Sequence, residues 1–180
     1  MADVSVRPAR TGDAAEIARI QLETWRIAYA SILPAPVLDA LDAGDATASW
    51  TTAIEAAPTP RHRVLVALER DQLVGFIAIA TPEDLPAGEP DLAATVAFGP
   101  LLVEPRWGRR GHGSRLLAAA VDTARTTGAT RAVAWLPEAD DASRAFFGSA
   151  GWAGDGYVRG LETGAGQVRE VRIQTSLATD

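Results

Sequence analysis

The segment from Ala94 to Leu136 constrains the fold more than any other part of this 180-residue chain. Ala94 to Val103 reads as a long strand. The Gly99-Pro100 pair inside it predicts a bulge, because proline cannot donate to a sheet ladder. The strand hands over through EPRWGRRGHGSRLL, residues 104–117, to a helix with one apolar stripe: Leu116, Leu117, Ala120, Val121 and Ala124. Gly128 is the natural stop of that helix, and Ala132 to Leu136 follows as a short buried strand.

The flanking segments extend this pattern. Val4 to Arg7 reads as a first strand. Asp13 with Glu16 three residues later forms a capping-box pattern, opening a helix with Ala14, Ile17, Ala18, Trp25, Ala28 and Tyr29 on one face. Pro34 and Pro36 end that element. Val37 to Leu41 suggests a second, short helix, continued by Ala46 to Ala56. RHRVLVALERDQLVGFIAIA reads as a hairpin turning at Glu69-Arg70-Asp71-Gln72, and PEDLPAGEPDL, residues 82–92, as a loop. Asp140 to Ala150 predicts a helix ending at Gly151, followed by strands at Trp152–Arg159 and Gln167–Leu177. The order β-α-α-β-β-β-α-β-α-β-β gives a single mixed α/β domain over residues 1–180, with antiparallel and parallel pairs.

Composition narrows the chemistry. Hydrophobic residues make up 47% of the chain, enough for a full core, and there is no cysteine to serve as disulfide, thiolate ligand or nucleophile. The two histidines, His62 and His112, stand far apart, so no metal site is expected. All 17 basic residues are arginine; lysine and asparagine are both absent. A GC-rich bacterial gene follows as an expectation, and a lysine Schiff base or Walker lysine is excluded. The net charge of −6 without a basic tail argues against general nucleic-acid binding. No apolar run approaches the ~18 residues of a membrane span, and MADVSVRPAR lacks a signal-peptide core, so a soluble, cytoplasmic protein is predicted.

The glycines and arginines between strand and helix carry the functional question. The first N–H groups of a helix are unpaired and carry the positive end of its dipole, so they bind phosphate well where glycine keeps side chains aside. Gly108-Arg109-Arg110-Gly111-His112-Gly113-Ser114 occupies that position. It reads either as a phosphate-binding loop or as an ordinary turn with solvent-facing arginines. A Walker A loop would need a lysine, and a dinucleotide fingerprint would need glycine at Leu116.

LLVEPRWGRRGHGSRLL resembles the acyl-CoA-binding motif of the GCN5-related N-acetyltransferases (GNAT), Gln/Arg-x-x-Gly-x-Gly/Ala. Gly111 and Gly113 match its small positions, and Val103-x-Pro105 and Leu116-Leu117 its flanks. DDASRAFFGSAGW, residues 140–152, resembles the family's later Asn-x-x-Ala-x-x-Phe-Tyr-x-x-x-Gly-Phe motif. RPARTGDAAEIARIQLETWRIAYASILP is similar to the start of many bacterial members. The resemblance implies a mostly antiparallel mixed sheet with a splayed parallel strand pair and flanking helices. It implies acetyl-CoA, with main-chain groups of Leu101, Leu102 and Val103 on its pantetheine arm. The pyrophosphate would lie on the amides of Arg109, Arg110, Gly111, His112, Gly113 and Ser114, with the His112 side chain covering the donor. Asp140, Ser143 and Phe147 of the later motif complete the implied cofactor contacts, and Trp25 and Tyr29 either line the acceptor pocket, as in family members, or pack into the core.

Three positions depart from the pattern. Gly108 replaces the leading Gln/Arg, a loss that Arg109 or Arg110 would offset. Asp140 replaces asparagine and keeps the capacity to cap a helix. Phe147 replaces a tyrosine that in many members protonates the leaving thiolate, and phenylalanine has no proton to give. Tyr157 is the candidate for that role, against the alternative of a packing tyrosine on its strand. Glu104, Glu83, Asp84, Glu89 and Asp91 are the carboxylates near the bulged strand, each a candidate base or a solvated loop charge. The implied function is direct acetyl transfer to an amine of a small molecule or peptide. An acyl-CoA sensor without turnover and a nucleotide-binding regulatory domain are the competing readings. A homodimer is compatible with the resemblance, while no nucleic acid or membrane partner is expected.

Overall fold

A computed structural model of the protein describes residues 4–82, 89 and 91–178. Strand β1 (Val4–Pro8) leads into α1 (Ala14–Ala28), α2 (Ala35–Asp39) and α3 (Ala43–Glu55). The hairpin β2 (Arg63–Glu69) and β3 (Gln72–Ala80) precedes β4 (Thr95–Val103), α4 (His112–Thr126), β5 (Arg131–Pro137), α5 (Asp141–Ser149), β6 (Ala153–Glu162) and β7 (Gln167–Ser176). The strands form one sheet in the order β1-β2-β3-β4-β5-β7-β6, in which only β4 and β5 run parallel.

The sheet separates two apolar layers. Ile17 and Ile20 of α1, with Trp50 and Ile54 of α3, cover Val64, Val66, Phe76 and Leu102 on one face. The α4 stripe of Leu116, Leu117, Ala120 and Ala124 covers the other, joined by Phe147 and Trp152. Burying such side chains contributes about 1.5–3 kcal/mol each before entropic costs, which is why α4 lies along the sheet. At the far side of the sheet the buried Arg172 donates to Asp155 at 2.7 Å and to Glu89 at 3.1 Å, and Arg131 pairs with Glu89 at 2.6 Å.

The structure corrects the N-terminal reading at three points. The Asp13–Glu16 capping box does not form: Asp13 is itself helical, closing a short turn at Thr11–Asp13, and its carboxylate points back to accept two bonds from Arg7, at 2.7 and 3.0 Å, and one from the Arg10 amide. Glu16 pairs instead with Arg19 at 2.6 Å. Helix α1 stops at Ala28, well before Pro34. The segment expected as one continued helix is two, α2 and α3, because Asp42 accepts the Asp45 amide at 2.9 Å and restarts the ladder.

Candidate functional site

The parallel seam of the sheet is short. Strands β4 and β5 pair only at Thr95–Arg131, Val96–Ala132 and Ala97–Val133, and then part. On its other edge β4 stays paired to β3, as Ile77–Leu101, Phe76–Leu102 and Gly75–Val103. The expected bulge is present: Ala78 of β3 stands opposite two residues, Gly99 and Pro100, and Gly99 has φ 144°. Past the bulge, one edge of β4 therefore carries main-chain groups that β5 does not take up. A cleft of about 600 Å³ opens there, walled by residues 97–102 of β4, residues 133–137 of β5, Ser143 and Phe147 of α5, and Trp25 and Tyr29 of α1. Leu101 and Leu102 are in this wall; Val103 lies outside it, beside Gly75.

The Gly/Arg segment ends at the first turn of α4. After a short turn at Pro105–Trp107, Arg109 (φ 60°) and Gly111 (φ 80°) both adopt the left-handed conformation. The first ladder bond of the helix runs from the Arg115 amide to the Gly111 carbonyl at 3.1 Å, so the amides of His112, Gly113 and Ser114 precede the ladder. A Cβ on Gly113 would lie 3.4 Å from Phe146 and 3.8 Å from Leu101, which places this helix start against both α5 and the bulged strand.

The loop side chains divide. Arg109 and Ser114 are exposed. Arg110 folds back, its guanidinium 4.8 Å from the Trp107 ring centre and 3.4 Å from Glu69. His112 departs from the expectation that its side chain covers the donor. The ring is buried and its Nε2 lies 2.9 Å from Glu69, so only the main chain of His112 belongs to the loop surface.

The other end of the cleft is polar on one wall. Asp140 caps α5, accepting the Ser143 amide at 3.0 Å and the Ser143 hydroxyl at 2.7 Å. The Tyr29 phenol stands beside this pair, and burial, with the Asp140 carboxylate, pushes it well above the ordinary phenol value. Trp25 stacks on Tyr29 with ring centres 6.3 Å apart, and its indole N–H is buried with no partner among the described residues. On the facing strands Arg159 donates to Glu170 at 2.7 Å and lies 4.4 Å over Trp135, and all three line the cleft.

Glu170 and Arg159 were not foreseen from the sequence. Their only signal is cross-strand pairing of β6 with β7, which needs the register to be known. Tyr157 is 43% exposed, sits 4.2 Å over Arg172 and lies outside the cleft wall. Among the carboxylates considered as bases, Glu104 is 2% exposed and paired to Arg106 at 2.6 Å and Arg19 at 3.2 Å. Glu89 is held by Arg131 and Arg172, Asp91 is exposed at a turn, and Glu83 and Asp84 lie outside the described residues. Phe147 is buried, with its ring in the core and against the cleft. No group of three His, Asp or Glu residues able to hold a metal occurs among the described residues, and none of their helices is long and apolar enough to cross a membrane.

Residues 21–152 match the family described as Acetyltransferase (GNAT) family. Among solved structures, yncA of Salmonella typhimurium, determined with its cofactor acetyl-CoA, is 20% identical with a TM-score of 0.72, covering 98% of this chain and 95% of its own. The N-acetyltransferase of Staphylococcus aureus Mu50 is 16% identical with a TM-score of 0.74, covering 98% of this chain and 99% of its own. PaiA N-acetyltransferase of Thermoplasma acidophilum, in complex with coenzyme A, is 14% identical with a TM-score of 0.70, covering 97% and 99%. No curated protein sequence matches. With the splayed seam, the glycine-opened helix and a family match over most of the chain, the protein belongs to the GNAT acetyltransferase family.

Proposed function

We propose that the protein transfers the acetyl group of acetyl-CoA to a primary amine held at the polar end of the cleft. One observation carries this reading: the open edge of β4 and the carboxylate-bearing wall line one cleft, and the start of α4, with its unpaired amides, packs against Leu101 of that same wall. Two solved structures of this fold were determined with acetyl-CoA or coenzyme A. The residues fit that donor. An extended arm bearing amides matches the unpaired main chain around Leu101 and Leu102, and a pyrophosphate matches the amides of His112, Gly113 and Ser114, with Arg109 exposed beside them. Acetyl-CoA supplies the activated thioester.

The protein's own groups then divide the work. The Glu170 carboxylate attracts the acceptor's ammonium group, while Arg159 and Trp135 fix its orientation. The ammonium first loses one proton to water; the neutral amine then bonds to the acyl carbon, its surplus N–H proton passes to water, and the C–S bond breaks. The thiolate must then be protonated. Tyr29 lines the cleft and its raised pKa keeps it protonated through neutral pH, so it offers a hydrogen bond to that sulfur. Leu33, Val37, Leu161 and Val168 complete the acceptor end, favouring an amine carried on an apolar body.

The second reading, a donor-binding sensor without turnover, is favoured by Phe147 and by the lack of a carboxylate on β4. Titration with acetyl-CoA, with ATP and NAD as controls, tests the donor; saturable and selective binding is expected. A panel of primary amines then separates the two readings. CoA release above the buffer rate for any acceptor removes the sensor, and no release for all of them removes the transferase.

A further inference from the structure

The phosphate loop is anchored on a carboxylate from a different part of the chain. Glu69 closes β2 and pairs with Gln72 across the turn Arg70-Asp71, so its backbone is fixed by the hairpin. One of its oxygens is 2.9 Å from His112 Nε2, the other 3.4 Å from Arg110 Nη1. The ring set closes around it. Arg110 lies over Trp107, and Trp107 meets the His112 ring edge-on, with centres 6.3 Å apart. The His112 side chain is 0% exposed and Glu69 only 17%, so the N–H···O bond between them is shielded from competing water. The tautomer with its proton on Nε2 satisfies this bond and leaves Nδ1, which has no partner among the described residues, as a bare lone pair.

These contacts act on a backbone with one other side-chain tether among the described residues, Arg115 Nη1, which donates to the Arg110 carbonyl at 3.0 Å. Arg109 is left-handed without being glycine, Gly111 is left-handed, and three successive amides point to no carbonyl. Such a loop binds an anion tightly only if its shape is set before binding. We propose that Glu69 is a positioning residue for the donor's phosphates, holding the first turn of α4 through His112 and the loop through Arg110. This rests on the acetyl-CoA reading above and adds a role to a residue of the β2–β3 hairpin.

The experiment compares acetyl-CoA with S-acetylpantetheine, which keeps the arm but lacks the pyrophosphate, by calorimetry or NMR titration. Glu69→Ala is expected to raise the acetyl-CoA Kd about tenfold and to leave S-acetylpantetheine binding unchanged. Glu69→Gln keeps an oxygen for His112 and is expected to stay within about threefold of wild type. His112→Leu, which keeps the burial but not the bond, is the second route should the alanine variant fail to fold, and is expected to match its selective loss. Equal weakening of both ligands, unchanged acetyl-CoA affinity in a folded variant, or tighter binding by the Gln variant overturns the inference. A wild-type protein that binds S-acetylpantetheine but gains nothing from the pyrophosphate overturns it too. A wild-type protein that binds neither ligand overturns the donor reading itself.

Discussion

Tyr29 sits in the field of two carboxylates, Asp140 beside it and Glu170 across the cleft, and both add to the effect of burial on its phenol. An ionised phenolate there would be desolvated and repelled, so the folded state holds the neutral form. Linkage then has a defined sign. The unfolded chain ionises near the ordinary phenol value of ~10, the folded one later, so this residue lowers stability as pH rises above ~10 and has no such effect below. Tyr29→Phe should make the fall of Tm above that pH shallower, and should cut kcat by ~10²-fold while acetyl-CoA affinity holds. An unchanged kcat takes Tyr29 out of the reaction. Glu170 predicts the opposite partition. Glu170→Gln keeps the shape and removes the charge, so acceptor KM should rise about tenfold with acetyl-CoA affinity constant. A shift in donor affinity instead would place Glu170 with the donor.

At the scale of elements, the β4–loop–α4 unit was legible because its signals are local. A proline in a strand, left-handed glycines and an apolar helical stripe each act within a few residues of themselves, and Gly99, Gly111 and Leu116 lie as those rules require. The start of α1 was not, because the capping-box rule considers only neighbours. Arg7, on a strand, takes the Asp13 carboxylate away from its helix. The same limit hid Glu69 and Glu170, whose partners are fixed by hairpin register and helix docking. Within the loop the two glycines differ. A Cβ at Gly111 would be strained at φ 80° and 3.0 Å from the Arg115 guanidinium, whereas one at Gly113 meets its neighbours at ordinary contact distance. Gly111→Ala should therefore destabilise by about 1 kcal/mol and weaken acetyl-CoA binding more than Gly113→Ala does. Equal effects on binding would mean that conformation at Gly111 does not set the loop.

At the scale of the whole molecule, the sheet is continuous in topology but uneven in cohesion. Strand β5 is paired to β7 along its full length, from Arg131 to Pro137, yet to β4 only at its start. The sheet is thus two ribbons, β1 to β4 and β5-β7-β6, joined by a seam of three residue pairs and by the apolar layer under α4. A wedge driven between them defines the cleft, and a ligand lying in the wedge would serve as the missing rungs. Ligand occupancy then becomes a mechanical property of the protein: amide hydrogen exchange at residues 95–97 and 131–133 should slow on donor binding, while the outer strands β1 and β6 keep their rates. Three rungs against seven make that seam, and not the joints between its neighbours, the line along which the sheet should open first.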